Sequence, residues 1–171
     1  MEACILKVLF TYRTVTGNTK QVIDAMFDAV QIQKERKPWN DTISLEGHDL
    51  SFIGFPIEMF GLGLESKDWL EENVNGQRIA LVITHGSPNQ TPPLQEWLQK
   101  SGDAAKGADI IDLFHCQGDM SEQLIEGMLQ SGNPQFVEWA KHARDIPRGF
   151  LDEEALQQAR RFAQDVIEKA S

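Results

Sequence analysis

The segment from Thr11 to Lys20 holds the residues of this chain that are best suited to bind a ligand. Six consecutive residues provide three hydroxyl groups, one amide and one glycine, and we call them the phosphate loop: Thr14, Val15, Thr16, Gly17, Asn18 and Thr19. Hydroxyl and amide groups can donate hydrogen bonds, and glycine lets the backbone approach a ligand because it has no Cβ. The apolar spacing from Val22 predicts a helix directly after the loop, and helix N-termini attract anions. The segment therefore predicts a phosphate site, with an ordinary capped turn as the alternative interpretation.

Other phosphate-binding motifs are absent from the sequence. Neither GxxxxGK[ST] nor GxGxxG occurs, which excludes a P-loop nucleotide triphosphatase and the dinucleotide-binding fingerprint. A phosphoacceptor receiver domain needs Asp residues at the ends of its strands, where this chain has Thr11, Tyr12 and Phe55. The phosphate loop therefore has to be explained by a different class of fold.

Apolar, β-branched runs alternate along the chain with segments of helical periodicity. Five runs predict strands: residues 5–11, 42–45, 50–55, 78–84 and 108–114. The alternation predicts an α/β fold, in which helices cover both faces of a doubly wound parallel sheet and form three layers. Ligands of such folds bind outside the carboxyl ends of the strands, so the loops after Thr11, Phe55, Thr84 and Phe114 are the candidate site.

The last helix and the segment before it complete this organisation. Asp152 is predicted to cap a long C-terminal helix with a continuous apolar face. Between residues 117 and 150, one further helical pattern begins after Ser121 and another begins after Asn133-Pro134, and they predict a helical insertion. No repeat or flexible linker divides the 171 residues, a length that suits one domain, so we predict a single domain over residues 1–171.

The phosphate loop resembles that of the flavodoxin family. Thr14 to Thr19 matches the family's T-x-T-G-N-T motif residue for residue, and the stretch from Gly54 to Gly61 resembles its G-x-P-x motif and aromatic-glycine loop. The chain is also similar to a divergent flavodoxin-like group with a Cys-Gln-Gly element after the fifth strand, here Cys116 to Gly118. The resemblance implies a sheet of order 2-1-3-4-5, non-covalent binding of flavin mononucleotide (FMN) and a role in electron transfer.

The resemblance also implies which residues contact the isoalloxazine ring of FMN. They lie in the loops after the third and fourth strands: Pro56, Ile57, Glu58, Met59, Phe60 and Gly61, and His85, Gly86, Ser87 and Asn89. Met59 and Phe60 can supply one apolar side of the site, with core packing as the alternative. The Phe60–Gly61 peptide is expected to rotate on reduction, so that a carbonyl accepts the proton on flavin N5, because glycine adopts both conformations.

Some residues depart from the family pattern. Many flavodoxins place a tyrosine on the outer ring face from the loop after the fourth strand, whereas the only tyrosine here is Tyr12. His85 could stack on the ring or donate to it, with a structural role as the alternative, and Asn89 could bond the pyrimidine edge. Arg13 either strengthens phosphate binding or points to solvent. Glu58 and its acidic neighbours are expected to disfavour an anionic reduced flavin.

The two cysteines are expected to be free thiols. Cys4 precedes the first predicted strand and Cys116 follows the fifth, so they lie at opposite ends of the sheet, about 17–20 Å apart. A disulfide needs Cα atoms within about 7 Å. Cys116 is a candidate flavin neighbour, with a buried inert thiol as the alternative, and no metal site is expected.

The charge of the chain limits its partners. Its net charge of −10 disfavours nucleic acid. Eight acidic residues and a single Lys lie between Asp41 and Gly76, which gives that segment a charge of −7. This acidic cluster is either a solvated face or a docking surface for a basic redox partner. The longest apolar run, Ile79 to Ile83, is too short to span a membrane, and no signal peptide is evident, so a cytoplasmic monomer or weak homodimer is expected.

Three functions are compatible with these residues. The first is an FMN-binding electron carrier, which needs no catalytic side chain because FMN does the chemistry. The second is an FMN-dependent NAD(P)H or quinone-type reductase, in which the segment 117–150 forms a substrate pocket and His85, His115 or Cys116 contributes. The third is a cofactor-free interaction module. We favour the carrier, because the acidic cluster coincides with the loop expected around the exposed flavin edge.

Overall fold

Strands and helices alternate along the chain in the computed structural model, which describes residues 5–40, 43–58, 61–87, 91–145 and 149–171. The strands are β1 (Lys7–Tyr12), β2 (Gln33–Pro38), β3 (Leu50–Pro56), β4 (Arg78–His85) and β5 (Asp109–Gln117). The helices are α1 (Asn18–Ala29), α2 (Leu64–Asn73), α3 (Pro92–Ala104), α4 (Glu122–Leu129), α5 (Pro134–Asp145) and α6 (Glu153–Ala170). In the described parts of the chain, no helix is both long and apolar enough to cross a bilayer.

The five strands form one parallel sheet of order β2-β1-β3-β4-β5, which confirms the predicted α/β architecture and strand order. Strand order reverses between β1 and β3, and a ligand site is expected beside their carboxyl ends. Both faces of the sheet are covered. One apolar core lies between the sheet and helices α1 and α6, and a second includes residues of α2 and α3.

The predicted second strand is wrong. Residues 43–45 of the predicted run 42–45 form no strand in the described chain, and Leu45 is buried in the second core instead. The pairing partner of β1 is β2, whose sequence QKERKP has no apolar periodicity. An edge strand has only one neighbour, and charged side chains protect its open edge from pairing with other chains. Lys34 of this strand donates to the carbonyls of Phe27 and Val30 at the end of α1, at 2.6 and 2.8 Å.

The cap that the sequence predicts for the last helix is present, and α4 has a similar one. The Asp152 carboxylate accepts a hydrogen bond from the Ala155 N–H at 2.9 Å at the start of α6. The Ser121 hydroxyl accepts one from the Leu124 N–H at 3.1 Å at the start of α4. Helices α4 and α5 lie inside the predicted insertion 117–150 and pack on each other around Ile125, Met128, Ala140 and Ala143. We call residues 118–145, which contain these two helices, the hairpin.

Candidate functional site

A cavity of about 250 Å³ lies at the carboxyl ends of the strands. Nine of the predicted site residues line it: Val15, Thr16, Asn18, Pro56, Ile57, Glu58, His85, Gly86 and Ser87. The loops after β1, β3 and β4 therefore meet at one place, as the parallel sheet requires. Met59, Phe60 and Asn89 lie outside the described residues, so their predicted roles are untested.

Gly17 makes the phosphate loop turn into α1. Its φ of 93° lies in the left-handed region that favours glycine, and its N–H donates to the Thr14 hydroxyl at 3.0 Å. Gly17 is also the N-cap of α1, and no side chain caps that helix. The N–H groups of the first turn of α1 are thus left without a side-chain acceptor, which is the arrangement that an anion can use.

Two predicted phosphate donors have structural hydrogen bonds in this structure. Asn18 Nδ2 donates to the carbonyl of Asp119 at 2.8 Å, although the side chain also lines the cavity. The buried hydroxyl of Thr19 is 2.8 Å from that of Thr84, so it joins α1 to β4 inside the protein. The hydroxyls of Thr14 and Thr16 and the backbone of the loop are therefore the better candidates for holding a phosphate.

Arg13 is held by two carboxylates, so its side chain does not point freely to solvent, and its contribution to phosphate binding stays a prediction. Its Nη1 donates to Glu58 Oε2 at 2.7 Å, and its Nη2 donates to Glu65 at 3.0 Å. Partial burial disfavours the charged guanidinium, but the hydrogen bonds and charges of both carboxylates outweigh it and raise the pKa of Arg13. The Glu58 charge next to the cavity is therefore balanced by a cation. The opposed charges also join the phosphate loop to the loop after β3.

Glu58 and Gly61, in the loop after β3, exchange two backbone hydrogen bonds. The N–H of Glu58 donates to the carbonyl of Gly61 at 2.9 Å, and the N–H of Gly61 donates back to the carbonyl of Glu58 at 3.0 Å. A Cβ at Gly63 would lie 2.6 Å from Glu58 Oε2, so the glycine makes room for this carboxylate at the start of α2. A rotation of the peptide before Gly61, as the family resemblance implies, would break the bond that the Gly61 N–H makes.

His85 is tied to its surroundings through both ring nitrogens. Nδ1 lies 2.8 Å from the carbonyl of Ser87, and Nε2 lies 3.0 Å from Nδ1 of His115. A carbonyl only accepts, so His85 carries its proton on Nδ1, and His115 must donate to Nε2 when both rings are neutral. Burial and the neighbouring His115 lower the pKa of His85 to about 4, and burial also lowers that of His115. The pair is neutral at pH 7 and fixes the position of the Ser87 carbonyl.

The Cys-Gln-Gly element connects the loops of the site. Gln117 Nε2 donates to the carbonyl of Gly86 at 3.2 Å, and the Gly118 N–H donates to the carbonyl of His85 at 2.8 Å. A Cβ at Gly118 would lie 2.5 Å from Asn18 Nδ2, so only glycine lets the amide of Asn18 reach the chain after β5. These contacts hold the phosphate loop and the loop after β4 against β5.

Cys116 lies in the core instead of the cavity wall. It falls within β5, is 7% exposed and packs in the core formed with α1 and α6. Burial raises the pKa of its thiol to about 12, so the thiol is protonated and unreactive at neutral pH. Among the described residues it is a free cysteine, and Cys4 lies outside them. The described residues also contain no group of three or more side chains that could hold a metal ion.

Eight residues of the described cavity wall are not among the site residues that the sequence predicts. They come from the end of β4, from α3 and from the segment 118–139: Thr84, Trp97, Gly118, Asp119, Met120, Leu124, Met128 and Trp139. The sequence predicts the insertion 117–150 as helical, and only the reductase alternative places it over the site, without identifying which of its side chains line the cavity. The signal that could have found them is the concentration of Met and Trp residues in a segment directly following a carboxyl strand end.

Comparisons with known proteins agree with the fold. Residues 9–164 match the family model described as "Flavodoxin domain". The flavodoxin-like domain-containing protein BilS of Clostridioides difficile is 27% identical over 175 residues, covering 97% of this chain and 99% of that protein.

Two solved structures share the fold at low sequence identity. Oxidised flavodoxin 2 from Bacillus cereus has a TM-score of 0.61 at 16% identity, covering 95% of this chain and 99% of that one. A flavoprotein from Lactobacillus acidophilus in complex with FMN has a TM-score of 0.52 at 16% identity, covering 64% of this chain and 93% of that one. Since the family model spans most of the sequence, this chain belongs to the flavodoxin-domain family.

Proposed function

We propose that this protein binds FMN in the cavity at the carboxyl ends of the strands and acts as an electron carrier. The observation that supports the proposal most is that the phosphate loop and the loops after β3 and β4 line the same cavity. The Lactobacillus acidophilus flavoprotein, which shares the fold, is described as a complex with FMN. When bound, FMN supplies the redox chemistry, and the chain supplies binding, orientation and electrostatics.

The phosphate loop fits the phosphate of FMN through hydrogen-bond donors more than through cations. Thr16 lines the cavity, the Thr14 hydroxyl accepts from Gly17 and still has its own proton to donate, and α1 has no side-chain cap. The two cations beside the loop are already paired, Arg13 with Glu58 and Glu65, and Lys20 with Asp24 at 2.6 Å. Backbone dipoles and hydroxyls at a helix N-terminus are a known way to bind such an anion.

The rest of the cavity fits a flat, mainly apolar ring. Ile57, Trp97 and Trp139 offer apolar and aromatic surface, while the backbone around His85 and Ser87 offers polar groups. The volume of about 250 Å³ is slightly below the roughly 300–1,000 Å³ of pockets that bind drug-sized molecules. Such a cavity suits one ring system and leaves little room for a substrate stacked on it, which favours a carrier over a reductase.

The titratable side chains that line the described cavity wall also favour a carrier. They are Glu58, His85 and Asp119. Glu58 is paired with Arg13, and the Asp119 carboxylate accepts from the N–H groups of Gly149 and Phe150 at 2.9 and 3.0 Å. His85 is neutral because its pKa is about 4. Both carboxylates and the neutral imidazole make hydrogen bonds within the protein, which favours a structural role for them over a catalytic one.

We further propose that a redox partner with a basic docking surface reaches the site from the side of α2. This helix exposes Glu65, Asp68, Glu71 and Glu72, and it begins beside the loop 57–63. Arg13 balances part of the charge of Glu58 and Glu65, and Lys67 pairs with Glu71 at 2.7 Å. In this proposal, Asp68 and Glu72 are therefore the main docking residues. We also propose that the protein is a cytoplasmic monomer or weak homodimer.

The cofactor assignment is tested by the visible spectrum of the purified protein and by titration with FMN and riboflavin. We expect a yellow protein that releases FMN on denaturation and rebinds FMN more tightly than riboflavin. Thr16→Ala is expected to weaken FMN binding about 10-fold and to leave riboflavin binding unchanged, because only FMN carries a phosphate. A colourless protein that does not bind added FMN would contradict the proposal.

A further inference from the structure

The hairpin occupies the position from which the outer face of a bound ring would be covered. Met120, Leu124, Met128 and Trp139 all belong to the segment 118–139, and all line the cavity. The hairpin has its own small core, separate from the two main cores, in which Met128 is buried and against which Met120, Leu124 and Trp139 pack, so these side chains are fixed in place where they line the cavity.

The loop after β4 provides no aromatic side chain among its described residues 86, 87 and 91. Instead, it lies directly beneath the hairpin. A Cβ built at Gly86 would lie 3.3 Å from Cγ of Met120 and 3.8 Å from Cη2 of Trp139. The only tyrosine of the chain, Tyr12, is 7% exposed within β1 and belongs to the first core. The indole that stands beside this loop therefore comes from α5.

The hairpin is held over the cavity at both of its ends. At its start, the backbone carbonyl of Asp119 accepts a hydrogen bond from Asn18 Nδ2 at 2.8 Å. At its end, the Asp119 carboxylate binds the N–H groups of Gly149 and Phe150. Arg144 on α5 pairs with Glu126 on α4 at 3.1 Å, which joins the two helices. These contacts make the hairpin a positioned wall of the site.

We propose that the hairpin is the cover of the flavin ring and that Trp139 supplies its aromatic surface, in place of the tyrosine that many flavodoxins carry after the fourth strand. Met120 and Met128 complete the cover, because thioethers pack well against aromatic faces. An indole offers the largest contact area of the aromatic side chains to a flat ring, and an indole packed on the ring excludes water from it. The proposal rests on the proposed FMN site and specifies how that site binds the ring.

The test compares the affinities of three variants of the full chain for FMN and for riboflavin. Each titration is monitored by the quenching of flavin fluorescence. Trp139→Ala removes the aromatic surface, Trp139→Phe keeps an aromatic ring, and Trp69→Phe is a matched control. Trp69 stacks on Trp39 at a centroid distance of 4.1 Å in the second core and is not among the residues that line the described cavity. Far-ultraviolet circular dichroism checks that each variant keeps its helices.

We expect Trp139→Ala to weaken the binding of FMN and of riboflavin by the same factor, roughly 10-fold to 100-fold, because the ring is common to both ligands. Trp139→Phe should stay within about 5-fold of the parent protein, and Trp69→Phe within about 2-fold. The bound flavin should also fluoresce more strongly in Trp139→Ala, since an adjacent indole quenches it.

Three results would overturn the inference, and they are distinguishable. If the parent protein binds FMN and both Trp139 variants bind it equally well, the proposed role of the hairpin is wrong, while the proposed FMN site is retained. If the parent protein binds neither FMN nor riboflavin, the proposed function fails and the cover fails with it. A loss for FMN alone would also contradict the inference, because it would place Trp139 at the phosphate instead of the ring.

Discussion

The guanidinium of Arg13 faces the carboxylate of Glu58 with both of its terminal nitrogens, at 2.7 Å to Oε2 and 3.3 Å to Oε1. The side chains are 19% and 28% exposed, so water screens this pair only partly. Paired arginine and carboxylate forks have well-defined geometry, which fixes both loops relative to each other. The acidic loop beside the proposed ring site therefore carries less net charge than its sequence indicates.

Removing this cation should weaken FMN binding. We expect Arg13→Gln to lower the affinity about 10-fold, because Glu58 and Glu65 then face the bound dianion without compensation. Glu58→Gln in the same background should recover most of the loss. The coupling between the two substitutions, measured by a double-mutant cycle on FMN affinity, should be on the order of 1 kcal/mol. Additive effects would show that the pair does not influence the site.

Stability should fall as the pH decreases through the range in which His85 would titrate. The unfolded chain protonates this histidine near its ordinary pKa of 6.5, whereas the folded protein does so only near pH 4. The unfolded state therefore binds more protons between these values, and on the order of 3 kcal/mol of stability is lost from pH 6.5 to 4. Below pH 4 this group causes no further change. Urea unfolding at several pH values measures the loss.

The matched variant for this experiment is His85→Gln, which keeps polar groups beside Ser87 and His115 but cannot take up the proton. Its stability should depend less steeply on pH between 6.5 and 4 than that of the parent protein. Parallel curves for the two proteins would assign the pH dependence to other groups.

The contact between Gly118 and Asn18 can be tested with one methyl group. Gly118→Ala should destabilise the protein by about 1–3 kcal/mol and weaken FMN binding, because the Cβ would lie 2.5 Å from Asn18 Nδ2. Gly127→Ala is the control, since this glycine lies in α4 with no atom within 4 Å of the added Cβ. Alanine favours a helix, so the control should gain up to about 1 kcal/mol. Thermal unfolding measures both, and equal melting temperatures would contradict the expected clash.

Charge reversal on α2 should change how fast the reduced, FMN-loaded protein reacts with small charged oxidants. We expect Asp68→Lys combined with Glu72→Lys to slow oxidation by the cation hexaamminecobalt(III) and to speed oxidation by the anion ferricyanide, each several-fold at low salt. Added salt should reduce both effects, because it screens exposed charges. Asp165→Lys on α6 is the control, since α6 covers the other face of the sheet from α2. If Asp165→Lys changed the two oxidation rates to the same extent as the α2 substitutions, the charges of α2 would have no specific effect on reaction at the site.

The fold could be predicted from the sequence where local patterns and burial agree. Buried strands such as β4 are continuous apolar runs, and helix α6 has both an N-cap and a regular apolar face. Strand β2 could not be predicted in this way, because its position follows from pairing with β1, and its side chains are charged. Pairing at an edge leaves no apolar period in the sequence.

The candidate site was predictable only in part. The phosphate loop is contiguous, so its donors and its glycine are recognisable together. The role of Arg13 depends on Glu58, which is 45 residues away, and the role of Gln117 depends on Gly86, which is 31 residues away. Trp139 is part of an amphipathic helix whose direction over the sheet is set by tertiary contacts. Residues that act through distant partners have no local signature.

The bond between Asn18 and the carbonyl of Asp119 joins residues 101 positions apart. During synthesis from the N-terminus, the phosphate loop and the strands on either side of β1 can form before residue 119 has left the ribosome. The loop that closes between these two residues costs entropy that only the packed sheet can repay. The part of the cavity wall that the segment 118–139 forms therefore depends on bringing together residues far apart in the sequence, and a chain that ended before β5 would lack that wall.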